Sequence, residues 1–420
     1  MSLLLQNVQI IDKSSIAHKK QVHLLIENGK LVEIDTSRKI SKANVVHDFE
    51  GAFVSKGWVD LNAHFNDPGY EYREDIMSGS MSAVKGGFTE VCLISETLPS
   101  VTSKSDVNYL IKRAPSSVNI HPIAALSEDL KGQNLTEMLD LHDAGAVAFS
   151  DGDRPIWNAE LLLKALHYTH DIGVPIVQNA RDINISANTH MHEGKASTLL
   201  GLRGEPSMSE ELMIQRDLEI LKYSGGRIHF TKVSSSKGVE LIRQAKEAGL
   251  RVTCDVAIHH LLFTDEYVTD FDTNYKSLPP FRSELDRLAL VEGVLDGTID
   301  AICSNHRPLD QESKKLEFDL ADPGSISLQT LYSALLGVTP EIPMDIMVER
   351  ITEGPKKVMH LTSSSFEKGE VANFTLFDPH GSTILNESTN ASKSDNSPFW
   401  NKELKGKVLG TVLGESVNIE

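Results

Sequence analysis

The chain has 420 residues, 40% hydrophobic and 24% charged, with a formal net charge of −18. That length is ample for one large core plus something smaller, and the acidic balance excludes nucleic acid and anionic membrane surfaces as partners. No apolar run reaches the roughly 20 residues that span a bilayer, and no basic segment leading into an apolar stretch marks a secretory signal. Cys92, Cys254 and Cys303 each sit in an apolar run, which reads as buried, reduced thiols of a cytoplasmic protein.

Residues 1–52 alternate polar and apolar, as in Leu3-Leu4-Leu5-Gln6-Asn7-Val8 and His23-Leu24-Leu25-Ile26-Glu27, and predict short antiparallel strands. Eight short apolar runs follow: Phe53–Phe65, Thr89–Ser95, Val118–Leu126, Ala146–Asp151, Val174–Ala180, Arg227–Ser234, Arg251–His260 and Ile299–His306. Helix-like segments such as Gly238–Ala248 and Glu284–Leu295 separate them. Strands alternating with helices imply parallel βαβ units, and eight such units predict a (β/α)8 barrel. Continuous apolar runs suit strands buried on both faces. Residues 370–420 return to the alternating pattern, broken by a Ser-, Asn- and Lys-rich surface loop over 382–399. The predicted organisation is an α/β chain. Residues 53–367 form the TIM barrel, and 1–52 join 368–420 in a small composite β-sandwich domain.

Chemistry in such a barrel sits at the C-terminal ends of the strands. The first run ends in Asp60-x-Asn62-x-His64. Alternate strand residues share a face, so a His-x-His here would clamp a metal, but Asn62 is a poor ligand. The other ends offer Glu96, Asp151, Gln178 with Asn179, Lys232, His259 with His260, and Asn305 with His306. This polar ring has one histidine, His64, and one carboxylate, Asp151, where a binuclear zinc centre would want them.

Several stretches together resemble dihydroorotase, of the amidohydrolase superfamily, over nearly the whole chain. They include Gly86-Gly87-Phe88-Thr89, Met191-His192-Glu193-Gly194, Gly201-Leu202-Arg203-Gly204-Glu205-Pro206, Val252-Thr253-Cys254-Asp255-Val256-Ala257, Pro279-Pro280-Phe281-Arg282 and Ser392-Lys393-Ser394-Asp395-Asn396-Ser397-Pro398-Phe399. The resemblance implies a metallo-dependent hydrolase barrel and a set of ligand positions. Of these, His64 and Asp151 are retained, while Asn62, Gln178 and Lys232 stand where the family has histidine. The catalytic aspartate position carries Asn305. In the substrate pocket, Asn66 replaces the arginine that pairs with the substrate carboxylate, and Glu96 and Leu278 replace asparagines. Leu309 replaces the last histidine of the strand-8 motif. Dihydroorotate and carbamoyl aspartate are anions, so losing an arginine fork and gaining a carboxylate weakens their binding.

The substitutions make physical sense as a set. Without metal, Lys232 supplies positive charge near Asp151, Asn305 removes a second buried carboxylate, and Arg181 is a further candidate cation. The expected centre is a salt-bridged polar plug with no cofactor, or with zinc if a residual site on His64 and Asp151 survives. Three functions follow. One is a catalytically silent homologue acting as a structural partner, for which the resemblance implies aspartate transcarbamoylase, alongside a homodimer. Another is a working cyclic amidohydrolase with a new base, His64 or Glu96. The third is a small-molecule binding protein whose pocket is lined by Glu96, Lys232 and Arg307.

Overall fold

The computed structural model describes residues 2–36, 43–338 and 341–419. Residues 37–42 of the expected N-terminal segment, with Met1 and Glu420, lie outside the described residues.

The amino-terminal strands are β1 (Ser2–Ile10), β2 (Gln21–Glu27), β3 (Lys30–Asp35), β4 (Val45–Asp48) and β5 (Phe53–Lys56). The next five are β6 (Trp58–Ala63), β7 (Phe88–Leu93), β8 (Asn119–Ala125), β9 (Ala148–Ser150) and β10 (Ile176–Gln178). A two-stranded flap, β11 (Met191–His192) with β12 (Gly204–Glu205), precedes β13 (Ile228–Phe230), β14 (Val252–Ala257) and β15 (Ala301–Cys303). The chain ends in β16 (Asn373–Ile384), β17 (Glu403–Leu413) and β18 (Ser416–Ile419).

One parallel sheet has the order β15-β14-β13-β10-β9-β8-β7-β6. His306 closes it into a barrel: its carbonyl accepts from the His64 amide at 2.9 Å, and its amide donates to the Asn62 carbonyl at 3.2 Å. Each of the eight apolar runs thus contributes one barrel strand, followed by helix, as the alternation predicts. Serine caps fix several helix starts. Ser235 and Ser283 accept from amides of the first turns of Ser236–Glu247 and Glu284–Asp296. Inside the barrel pack Leu61, Cys92, Ile123, Val177, Ala257 and Cys303, with Val358 and Met359 in the same cluster. The three cysteines are free and buried.

The remaining strands form a second sheet, β18-β17-β16-β5-β1-β2-β3, with β4 parallel beside β1. The two termini therefore fold together, as one continuous hydrogen-bonded sheet around a core of Leu3, Leu5, Val8, Leu24, Phe374 and Leu376. The expected single strand Phe53–Phe65 is split at Gly57. Its first part pairs with β16 and β1, and only Trp58–Ala63 enters the barrel. A Cβ on Gly57 would lie 1.8 Å from Asn373 Oδ1 and 2.0 Å from Thr89 Oγ1. Only glycine fits where the two sheets meet.

Candidate functional site

The ends of β6 and β15, with the turns after β9 and β13, bring a compact charged group to the barrel mouth. Gly152, at φ +70°, turns the chain so that Asp151 and Asp153 diverge. Asp151 accepts from the Ser127 amide at 2.8 Å and the Ser127 hydroxyl at 2.5 Å. Burial raises its carboxyl above the ordinary value, against the pull of these donors. The carboxylate at the centre is Asp153. Its Oδ1 is ion-paired with the Lys232 ammonium and its Oδ2 with the Arg307 guanidinium. Burial alone would raise this carboxyl, but Lys232 and Arg307 outweigh it and hold it well below the usual range.

Lys232 is almost wholly buried and sits at φ +56°, an unfavourable region for lysine. Its amide is fixed there by Asp255 Oδ1 at 2.6 Å, and Asp255 Oδ2 in turn contacts His229 Nε2 at 2.9 Å. Lys232 Nζ also donates to Asn305 Oδ1 at 3.4 Å. His64 faces two carboxylates, with Nδ1 3.8 Å from Glu96 and Nε2 3.8 Å from Asp153. Burial, then the Arg307 charge, keeps its imidazole neutral. Burial and the nearby Asp153 raise the Glu96 carboxyl.

The other predicted positions have local duties. Gln178 accepts from the Ile156 amide at 2.9 Å and donates to Asp217 at 2.7 Å. Asn62 donates to Thr231 at 3.3 Å, and its buried Oδ1 has no hydrogen-bond partner. Asn66 donates to the Pro308 carbonyl at 3.3 Å. Leu278 is half-buried and brings no polar side-chain atom. Leu309 is buried and lines a cavity of about 870 Å3 with Tyr72, Lys393 and Trp400. Arg181 is away from the centre, on Glu205 at 2.6 Å. His259 and His260 behave as packing residues: His259 stacks on Phe263, and burial lowers the two rings to about 4 and about 3.

Among the described residues, His64, Glu96 and Asp153 form the one acid–histidine grouping able to share an ion, with ligand atoms within 4.8 Å of one another. The donor set does not fit a pair of zinc ions. A structural zinc takes about four ligands and a catalytic one about three plus water. Here both Asp153 oxygens are held by side-chain cations, and Gln178 is turned to Ile156 and Asp217. A divalent ion would have to displace or sit against two fixed positive charges.

An eight-stranded parallel barrel beside a sheet built from both termini is also the fold of solved hydantoinases. The structure of L-hydantoinase (dihydropyrimidinase) from Arthrobacter aurescens superposes with a TM-score of 0.86 over 99% of this chain and 95% of that one, at 24% identity. Dihydropyrimidinase from Brevibacillus agri gives 0.83 at 18% identity, again over 99% and 95%. The chain itself belongs to the dihydroorotase family. It is 36% identical to dihydroorotase from Syntrophus aciditrophicus over 98% of both chains. It is 38% identical to that from Pelotomaculum thermopropionicum over 99% of this chain and 98% of the relative. The family profile described as dihydro-orotase-like matches residues 51–238.

Sequence reasoning missed Asp153, whereas Arg307, expected to line the pocket with Glu96 and Lys232, does stand at the centre. Asp151-Gly152-Asp153 offers two candidate carboxylates; both are buried, and the φ of +70° at Gly152 puts Asp151 on Ser127 and Asp153 on the cations.

Proposed function

We propose that this chain is a catalytically silent member of the dihydroorotase family that serves as a structural subunit. Dimerisation with itself and association with aspartate transcarbamoylase are the assemblies to test. One observation carries the reading: Asp153 bridges Lys232 and Arg307, so two protein cations neutralise the carboxylate at the centre of the ring. The site also lacks a base at the strand-8 position, because Asn305 cannot take up a proton.

The competing reading is a working amidohydrolase, favoured by the His64–Glu96–Asp153 triad. It requires Lys232 to leave Asp153. A small-molecule pocket lined by Glu96, Lys232 and Arg307 is disfavoured, because both cations are engaged internally.

The test is ring closure of carbamoyl aspartate and ring opening of dihydroorotate, assayed with added zinc, alongside zinc content after chelation and reloading. Neither turnover nor bound zinc is expected. Restoring the ligands by Asn62→His, Gln178→His, Lys232→His and Asn305→Asp is expected to bring zinc binding back. Turnover by the unaltered chain, or about one zinc per chain, would sink the silent reading. Co-purification with a transcarbamoylase tests the partner separately.

A further inference from the structure

The stretch Ser392–Phe399 carries part of the family resemblance but places no side chain in the charged centre. Its sequence reads as a polar surface loop, yet Asn396 is only 2% exposed. Its Oδ1 accepts from the Leu309 amide at 3.1 Å, and its Nδ2 donates to the carbonyls of Arg307 at 3.0 Å and Gly324 at 3.1 Å. The Ile326 amide donates to the Asn396 carbonyl at 2.9 Å. Gly324 lies against Arg307: a Cβ there, at φ +142°, would stand 2.8–3.0 Å from the Arg307 stem. One amide thus ties down the main chain of Arg307 and of the glycine on which its side chain packs. Upstream, the Ser392 hydroxyl donates to buried Glu74, the Ser394 hydroxyl donates to the Arg73 carbonyl at 2.8 Å, and Lys393 pairs with Asp75 at 2.6 Å. The segment is a strap fastened to two loops of the barrel mouth.

Arg307 is the outermost member of the charged centre, with a quarter of its side chain exposed, while the Lys232 side chain beneath is inaccessible. We propose that Asn396 is a positioning residue: by fixing the backbone at Arg307 and Gly324 it keeps the guanidinium on Asp153, and the strap thereby keeps the polar centre shut. This rests on the salt-bridged reading of the centre.

The experiment is amine acetylation of the folded full-length chain, read lysine by lysine by mass spectrometry. Lys356, also buried and paired with Glu90 at 2.8 Å in another part of the fold, is the reference. Protection of Lys232 in the parent chain tests the salt-bridged reading, and its change between variants tests the strap, so the two can fail separately. Asn396→Ala leaves two carbonyls and one amide without their partner. It is expected to raise Lys232 labelling about tenfold while Lys356 stays protected, since the lost bonds no longer oppose local opening around Arg307. Asn396→Asp keeps the acceptor for Leu309 but loses both donors, and is expected to act in the same direction should the alanine variant fail to fold. In an Arg307→Ala background Asn396→Ala is expected to add less than about twofold, because its effect passes through Arg307. Ser394→Ala removes only the bond to the Arg73 carbonyl and leaves every Asn396 bond to the Arg307 segment in place, so it is expected to leave Lys232 protected. Unchanged labelling in both Asn396 variants, equal effects with and without Arg307, or exposure by Ser394→Ala would each overturn the proposal.

Discussion

At the residue scale, Asp153 is the pivot of the site. Removing one partner of a buried ion pair leaves an uncompensated charge and typically costs about 3–5 kcal/mol. Asp153→Asn strips two cations of their counter-charge, so chemical denaturation is expected to show a loss of about 3 kcal/mol. Loss of under about 1 kcal/mol would place Lys232 and Arg307 in solvent. Two other buried acids set the pH response. Burial pushes Asp60 and Asp217 up to about 6, against the donors Ser304 on Asp60 and Arg216 and Gln178 on Asp217. The folded chain therefore holds these protons more tightly than the unfolded chain, whose carboxyls titrate near about 4. Their effect favours folding at low pH and is lost as pH rises through about 6. Asp153, with its lowered pKa, has the opposite sign: its contribution is present above about pH 4 and is lost as pH falls below that. Asp60→Asn is expected to flatten the decline in unfolding free energy between pH 4 and 6 by roughly 2 kcal/mol. An unchanged pH profile would show that Asp60 titrates normally. At this scale the sequence brought forward His64, Glu96, Lys232 and Arg307, and the structure gathers them at the barrel mouth. Which aspartate meets the cations was not legible in it, because that is decided by one backbone angle at Gly152.

At the element scale, the eight barrel strands were readable because strands buried on both faces are uniformly apolar. The break at Gly57 was hidden for the same reason: Phe53–Phe65 stays apolar across a change of sheet. Around that break, Asn373 donates to Glu90 at 3.0 Å, and Glu90 pairs with Lys356 at 2.8 Å and His121 at 2.9 Å. Burial would raise the Glu90 carboxyl, but the His121 hydrogen bond and the Lys356 charge hold it down to about 2. Gly57→Ala forces a methyl into Asn373 and Thr89. Thermal unfolding is expected to show a loss of about 2 kcal/mol, in the range of overpacked cores. A neutral effect would mean that the joint between the sheets yields freely. The polar composition of 382–399 predicts a surface loop, yet Ser394, Asn396 and Ser397 are buried. Polar side chains that bond buried backbone look the same in sequence as those that face water.

At the scale of the whole molecule, 59 acidic residues oppose 41 basic ones. Much of that excess repels itself across the surface, whereas the central pairs are buried and poorly screened. Raising salt from about 10 to about 150 mM is therefore expected to raise Tm by a few degrees. A fall would show that exposed ion pairs outweigh the repulsion. No helix among the described residues is long and apolar enough to cross a membrane. The second sheet has a consequence for how the chain comes into being. β5 leaves the ribosome early, yet its neighbour β16 begins at Asn373, after the entire barrel has been translated. At about 5–20 residues per second, the amino-terminal strands wait tens of seconds with an open edge. During synthesis the barrel can assemble, while the sheet beside it stays half-built until the last strands emerge.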